Sequence, residues 1–263
     1  MDTKWIIQHN IGNDTEENLL SACHDVGVAY ERIRVIPFSD ELPEMPDIDG
    51  PFVFYGRTTL ILNAYKDKKW ARGMFYNPET FNPQAYLANY GNMMLNHDAQ
   101  FLKVRDIPEY FSSKPDQEWF MRPNDDLKQF TGGVDTTESY LNWIKNIQDD
   151  PLLNLDTVFV ICSPKEIDAE YRLFIVDGKV ITGSMYQPSG SAYLPMDLIE
   201  YAEKAAAIWS PAPVFVLDIA RSNQLYSIIE CNCFNGSGFY LSNCSKIVRN
   251  VSLFQSTNWE NFS

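Results

Sequence analysis

The sequence predicts an α/β protein assembled from several lobes, and three patterns carry that prediction. Short apolar strands alternate with amphipathic helices through the first part of the chain. Near the middle, a polar loop with two glycines and an amphipathic helix separate two strands. The last section reads as two strand hairpins with one long helix between them. Each such element has one apolar face to cover, so mixing the two types implies helices layered on sheets.

Residues 5–8 form the first expected strand. Asp14 followed by Glu17 has the spacing of a capping box, Leu19, Cys23 and Val26 recur on one helical face, and Gly27 closes the helix. Residues 33–36 read as a second strand and SDELPEMPDIDG as a surface connection. PFVFY reads as a third strand, with Gly56 ending it ahead of a helix that starts near Thr58. This order is that of a truncated nucleotide- or substrate-binding layer. It leaves Arg57 at the carboxyl end of the third strand, where open α/β sheets hold ligands; a solvated arginine is the competing reading.

Residues 70–118 are rich in Asn, Pro and aromatic residues and yield one helix, over 83–90. EWFMRP is then a strand, DDLKQFTGG a polar loop and DTTESYLNWIKNIQ a helix. Asp135 and Glu138 are that helix's expected capping pair, and Tyr140, Leu141, Ile144 and Ile147 its buried side. TVFVIC is a compact apolar strand. YRLFIV and VITGSMY flank a DGK turn, a strong hairpin signal. Residues 195–209 form a helix with Leu198, Tyr201, Ala202, Ala205 and Ile208 inward, and VFVLDI and LYSIIE pair around a turn at Ser222 and Asn223.

Composition limits the function classes. Acidic residues number 35 against 21 basic ones, a formal net charge of −14, which argues against a protein that wraps nucleic acid. No apolar run approaches the roughly 18 residues that cross a bilayer, and the start lacks a basic segment followed by an apolar one. The expectation is a soluble, cytoplasmic protein. The five cysteines, Cys23, Cys162, Cys231, Cys233 and Cys244, are odd in number and fit no usual zinc spacing, so they read as reduced thiols.

Two groups of residues point to chemistry. Asp218 interrupts the apolar run VFVLDIA, while Glu230 and Asn232 end LYSIIECN. Alternation puts Glu230 and Asn232 on one face, and Asp218 approaches it if the strands pair. Two carboxylates and an amide oxygen are hard ligands suited to Mg²⁺. Because a charge inside an apolar strand must be paired or metal-bound, pairing with arginine is the alternative. The second group is cationic: Arg122 at a strand end, Lys128 in the loop with Thr131, Gly132 and Gly133, and Arg172 in the strand after Glu170. That loop can turn backbone N–H groups onto phosphate oxygens, yet it lacks the spacing of a P-loop.

These segments in this order (WFMRPNDDLKQFTGG, VFVICSPKEI, EYRLFIVDGKVITGSMY, VLDIA, IIECNCFNGSGFY) resemble the ATP-grasp superfamily. They resemble most closely a small branch common in bacteria and their phages, the clade named for one arginine and two lysines. The resemblance spans roughly residues 50–240 and implies an ATP-grasp fold, with a small N-terminal α/β lobe and two lobes clasping ATP. The implied division is 1–100 for a substrate-side lobe, 101–160 for a central lobe with the phosphate loop, and 161–263 for the lobe with the magnesium ligands.

It further implies that Arg122 and Lys128 contact the phosphates, with Lys103 as a further cation. Cys162, Ser163 and Pro164 would form the hinge against adenine, Ile167 would wall the ring, and Glu170 would orient the ribose or a basic neighbour. Arg172 would stabilise the transferring phosphoryl group, and Asp218, Glu230 and Asn232 would hold magnesium. ATP and Mg²⁺ are the expected cofactors, and the expected reaction joins a carboxylate to an amine through an acyl phosphate. The substrates would be small molecules or peptides, met by Arg57, Tyr186, Gln187, Ser189 and Tyr193. A small-molecule phosphotransferase and a non-catalytic nucleotide-binding scaffold are the competing functions. The oligomeric state stays open.

Overall fold

Three sheets organise the chain, each starting from strands whose sequence is apolar on at least one face. The computed structural model describes residues 2–12, 14–36, 41–124, 132–146 and 154–262. The first sheet is parallel, in the order β2-β1-β3, from β1 (Lys4–Gln8), β2 (Tyr30–Ile33) and β3 (Phe52–Tyr55). Helix α1 (Thr15–Val26) covers it through Leu19, Ala22 and Cys23. Helices α2 (Thr58–Tyr65), α3 (Lys68–Ala71) and α4 (Pro83–Tyr90) follow.

The second sheet is antiparallel, in the order β4-β7-β5-β6, from β4 (Gln100–Lys103), β5 (Glu118–Pro123), β6 (Gly133–Thr136) and β7 (Val158–Cys162). One of its faces, including Trp119, Met121, Phe159 and Ile161, packs against α5 (Ile107–Ser112) and α6 (Thr137–Asn146). Phe101, Val160 and Arg122 are paired in one row on the opposite face.

The third sheet runs β11-β10-β8-β9, from β8 (Ala169–Val176), β9 (Lys179–Gln187), β10 (Val214–Ser222) and β11 (Leu225–Cys233). It is buried on both sides. Tyr171, Leu173, Ile175, Phe215, Leu217 and Ile219 point to α4 and to α7 (Met196–Ile208). Phe174, Val176, Val214 and Val216 point the other way, into a core shared with Trp5, Val53, α1 and α8 (Cys244–Asn258). The α/β reading therefore holds. The β8–β9 turn has left-handed backbone at Asp177 and Gly178, as its sequence demands.

Local details depart from expectation. Asp14 sits at the start of α1 with φ 56° and its side chain makes no capping bond; Glu16 instead accepts from the Asn10 N–H at 2.7 Å. At α6, residues expected as helix belong to β6, and the Thr136 hydroxyl rather than Asp135 accepts from Ser139 N–H. The second strand lies earlier than 33–36, since Tyr30–Ile33 is the segment that pairs with β1. The β10–β11 turn falls at Asn223 and Gln224, both at positive φ. Ile208 is exposed rather than inward, and Ile147 lies outside the described residues. Helix α8 was absent from the expected elements. Among the described residues no helix is long and apolar enough to cross a membrane.

The first and third sheets are joined by buried amides. Asn235 is fully buried; its Oδ1 accepts from Phe75 N–H at 2.8 Å, and its Nδ2 donates to the carbonyls of Phe54 at 2.6 Å and Gly73 at 3.0 Å. Asn235→Ala strands two buried backbone groups, Phe75 N–H and the Phe54 carbonyl, each costing about 1–3 kcal/mol when left without a partner, while the Gly73 carbonyl keeps the Phe54 N–H at 3.2 Å. The urea midpoint should fall by the equivalent of at least about 2 kcal/mol; an unchanged midpoint would show that water replaces the amide.

Candidate active site

Strand pairing sets the site. Asp218 on β10 lies opposite Arg172 on β8 and opposite Glu230 on β11, so the three side chains share one face at one level of the sheet. Arg172 donates from Nε and Nη2 to the two carboxylate oxygens of Asp218 at 2.9 and 2.7 Å, and Asn232 Nδ2 donates to Asp218 Oδ2 at 3.1 Å. From the facing sheet, Arg122 Nη1 reaches Glu230 Oε2 at 2.5 Å. A bulge between Asp218 and Ile219 makes this possible: Ile228 pairs with Ile219 and Glu230 with Asp218, leaving Ile229 as the extra residue. Ile228 stays in the core, while Ile229 and Glu230 line a narrow cavity between the two sheets with Phe101, Val160 and Arg122.

Burial and charge divide the two carboxylates. Burial raises the Asp218 pKa, against the opposing pull of Arg172. Burial also pushes Glu230 upward, but Arg122, then Arg172 and Asn232, outweigh it and hold that carboxyl below its ordinary value. Arg172 is held charged by Asp218 despite its own burial. Its guanidinium carbon also lies 5.7 Å from the Tyr186 ring and 5.0 Å from the Tyr240 ring, and these two rings stack at 4.8 Å. Tyr240 has φ 49°, an uncommon backbone state for a bulky residue.

The donor set suits a hard divalent cation: two carboxylates and an amide converge from paired strands, and Asn232 meets Asp218 through its amide nitrogen. In this structure arginines supply the positive charge there, the pairing that the sequence left as the alternative to metal ligation. Among the described residues no group of three or more His, Cys, Asp or Glu is disposed to hold a metal.

The other expected residues are dispersed over several places in the fold. Glu170 accepts from the Tyr186 hydroxyl at 2.6 Å, and Tyr186 is the extra residue of a second bulge, between the Glu170–Gln187 and Tyr171–Met185 pairs. Ile167, Glu170, Tyr186 and Gln187 line one hollow of about 280 Å³. Cys162 is buried, its thiol pushed up to about 12 by burial. Ser163 donates to Asp98 from its hydroxyl at 2.5 Å and its N–H at 3.3 Å, while Pro164 is exposed. Lys103 shares the Arg122 face of the second sheet, but its ammonium pairs with Asp156 at 3.1 Å. Ser189 and Tyr193 are exposed. Arg57 lies in the first lobe, its Nη2 donating to the Asn10 carbonyl at 2.9 Å. Lys128 and most of its loop lie outside the described residues. Ile229, Phe101, Val160, Tyr240 and Asp98 were missed; only Asp98, a lone acid ahead of the hinge, left a trace in the sequence.

Removing Arg172 should reveal the cost of the buried pair. Arg172→Met leaves Asp218 as a buried charge without its guanidinium, a loss of about 3–5 kcal/mol, and Arg172→Met with Asp218→Leu should recover most of it. Denaturation midpoints of the two variants decide this. Equal losses in both would mean that packing, not charge, ties β8 to β10.

Comparison with known proteins agrees with this architecture. No curated protein matches the sequence. Solved structures that share the fold include D-alanine–D-alanine ligase from Bacillus anthracis in complex with ATP, 12% identical, covering 99% of each chain with TM-score 0.61. A RimK domain ATP-grasp protein from Sphaerobacter thermophilus DSM 20745 is 8% identical, over 96% of this chain and 99% of that one, with TM-score 0.62. D-cycloserine synthetase DcsG is 12% identical, over 99% of this chain and 100% of that one, with TM-score 0.57. Identities this low speak for the fold alone. The model of an ATP-grasp domain, family 3 of the clade named for one arginine and two lysines, matches residues 54–251, most of the chain, and the protein therefore belongs to that ATP-grasp family.

Proposed function

We propose that the chain is a cytoplasmic Mg-ATP-dependent ligase that joins a carboxylate to an amine. The observation that carries this reading is the meeting of Arg122 from one sheet with Glu230, Asp218 and Asn232 from the other, at the mouth of the inter-sheet cavity. Phosphoryl transfer needs positioning and charge neutralisation more than a side-chain nucleophile, and this cleft offers both. Adenine would lie between Phe101, Val160 and Ile229, near the hinge at Cys162 to Pro164. Arg122, Lys128 and Lys103 would meet phosphate oxygens, Lys103 after leaving Asp156. Magnesium, when bound by Asp218, Glu230 and Asn232, supplies charge neutralisation at the phosphates. Arg122 is then free to turn from Glu230 to the phosphates.

The substrate carboxylate attacks the γ-phosphorus, giving ADP and an acyl phosphate. The amine then attacks the acyl carbon, forms the amide and releases inorganic phosphate. Arg172, held by Asp218 and beside the Tyr186 and Tyr240 rings, would meet charge on the transferring group. In this reading residues 1–100 present the substrate, 101–160 cover the phosphates and 161–263 carry the metal ligands. Gln187, Ser189 and Tyr193 border the acceptor. One observation favours a non-catalytic scaffold instead: each carboxylate already has a guanidinium partner.

ADP release decides among these. It should require a carboxylic acid and an amine together, and Glu230→Gln should lower kcat by roughly a hundredfold, about 2.7 kcal/mol. ADP formed without an amine, with a phosphorylated product, would identify a phosphotransferase; no ADP from any acid and amine pair would favour the scaffold.

Arg57 offers a narrower test. Arg57→Ala should raise KM for the acid or amine substrate at least about tenfold, near 1.4 kcal/mol, with ATP affinity unchanged. Equal weakening toward ATP would move Arg57 to the nucleotide site or the structural frame.

A further inference from the structure

The first lobe holds a cavity of about 520 Å³ apart from the inter-sheet cleft. Its position follows from topology. β1, β2 and β3 are parallel, with β1 central, so the chain leaves β1 toward one neighbour and reaches the other by a separate crossover. The crevice beyond the carboxyl ends of such strands is where a side chain from each can meet a ligand. Here those ends supply Gln8, Arg34 and Arg57.

The charges on its wall are unusual for this protein. The whole chain carries a net charge of −14, yet among the described residues no Asp or Glu lines the cavity. Among those residues Arg34 has neither a carboxylate nor a hydrogen-bond partner. Arg57 donates one N–H to the Asn10 carbonyl and meets no described carboxylate. The neighbouring Arg32 already has a carboxylate partner. Glu16 takes His9 Nδ1 at 2.9 Å, Arg32 Nε at 2.7 Å and Asn10 N–H at 2.7 Å. An internal carboxylate thus occupies the start of α1, and an incoming anion is directed to Arg34 and Arg57. The rest of the wall is mixed: Val35, Leu60 and Ile36, the last 66% exposed, form an apolar part beside the polar Gln8, His9, Asn10 and Thr59.

We propose that this cavity binds an amphiphilic acid, its anionic group held by Arg34 and Arg57 and its apolar body against Val35, Ile36 and Leu60. Two guanidinium forks match a carboxylate through parallel N–H···O bonds, and the volume suits a ligand of amino-acid-derivative size rather than a lone ion. Under the ligase reading, on which this assignment of a substrate rests, the cavity selects an acceptor or donor bearing an anion remote from the reacting group.

Calorimetric titration of the full chain without nucleotide tests this, with 4-phenylbutyrate, its neutral analogue 4-phenylbutanol and inorganic phosphate as probes. The acid should bind at least about tenfold more tightly than the alcohol or phosphate. Arg34→Ala should weaken acid binding about tenfold and Arg34→Glu should abolish it, with melting temperature and Mg-ATP affinity unchanged. Equal binding of acid and alcohol, equal binding of phosphate, or indifference to Arg34→Glu each overturns the proposal. Acid binding that depends on Arg34 in a chain that never releases ADP would support it while refuting the ligase reading. ADP release with no acid binding at this cavity would do the reverse.

Discussion

The buried pair of Arg172 and Asp218 is the constraint around which the third sheet is arranged. Both side chains leave water almost completely, and a buried charge is tolerated only with its partner and hydrogen bonds in place. The partner comes from the neighbouring strand, so β8 and β10 have to keep their register at this level. Glu230 adds a second carboxylate beside the first, and two like charges there demand another cation. Arg122 supplies it from a different sheet. The requirement for charge balance inside one sheet thereby becomes a contact between two sheets, and the cleft between them is drawn around that contact.

The bulges follow from the same demand. Without the extra residue at Ile229, alternation would send either Ile228 out of the core or Glu230 out of the polar row. The extra residue at Tyr186 likewise brings its hydroxyl to Glu170 while its ring lies against Tyr240 and beside Arg172. The first lobe is tied to this frame from both ends of the chain. Thr3 and Trp5 bond to Ser252 on α8, and the Tyr55 hydroxyl donates to the Ser237 carbonyl, in the loop whose Gly238 carbonyl accepts from Arg172. Helix α8, late in sequence, is therefore part of the first lobe's core.

Legibility in the sequence tracked how local each cause is. The DGK hairpin and the helix over Pro83–Tyr90 were readable because turn chemistry and the Asn82 cap act within a few residues. The exposed strand β2 was displaced because it has only one core residue, Ile33, to announce it. β4 is nowhere fully buried and is defined by its pairing with β7. Helix α8 mixes its buried Ile247, Val248 and Val251 with Ser252 and Gln255, polar residues whose partners lie far away in sequence. The convergence of Asp218, Glu230 and Asn232 was legible from alternation together with the expected pairing of their two strands. The pairing of Glu230 with Arg122, across a separation of 108 residues, was not.

Charge distribution links the two candidate sites. An acidic protein that handles anions has to concentrate its cations, because its overall field repels what it binds. It does so in two different ways. In the inter-sheet cleft Arg122 and Arg172 are held by carboxylates, so their charge is spent locally until a competing cation or anion rearranges the cluster. In the first lobe Glu16 absorbs the nearby His9 and Arg32, and Arg34 and Arg57 stay open to an incoming group. A cluster that is neutral at rest suits a step in which charge arrives with the nucleotide. An open pair suits recognition that precedes it. The two sites flank the same stretch of chain, since Gly56 beside Arg57 donates its N–H to the carbonyl of Asn235, three residues beyond Asn232. The first lobe is thereby connected through backbone to the segment that carries Glu230 and Asn232.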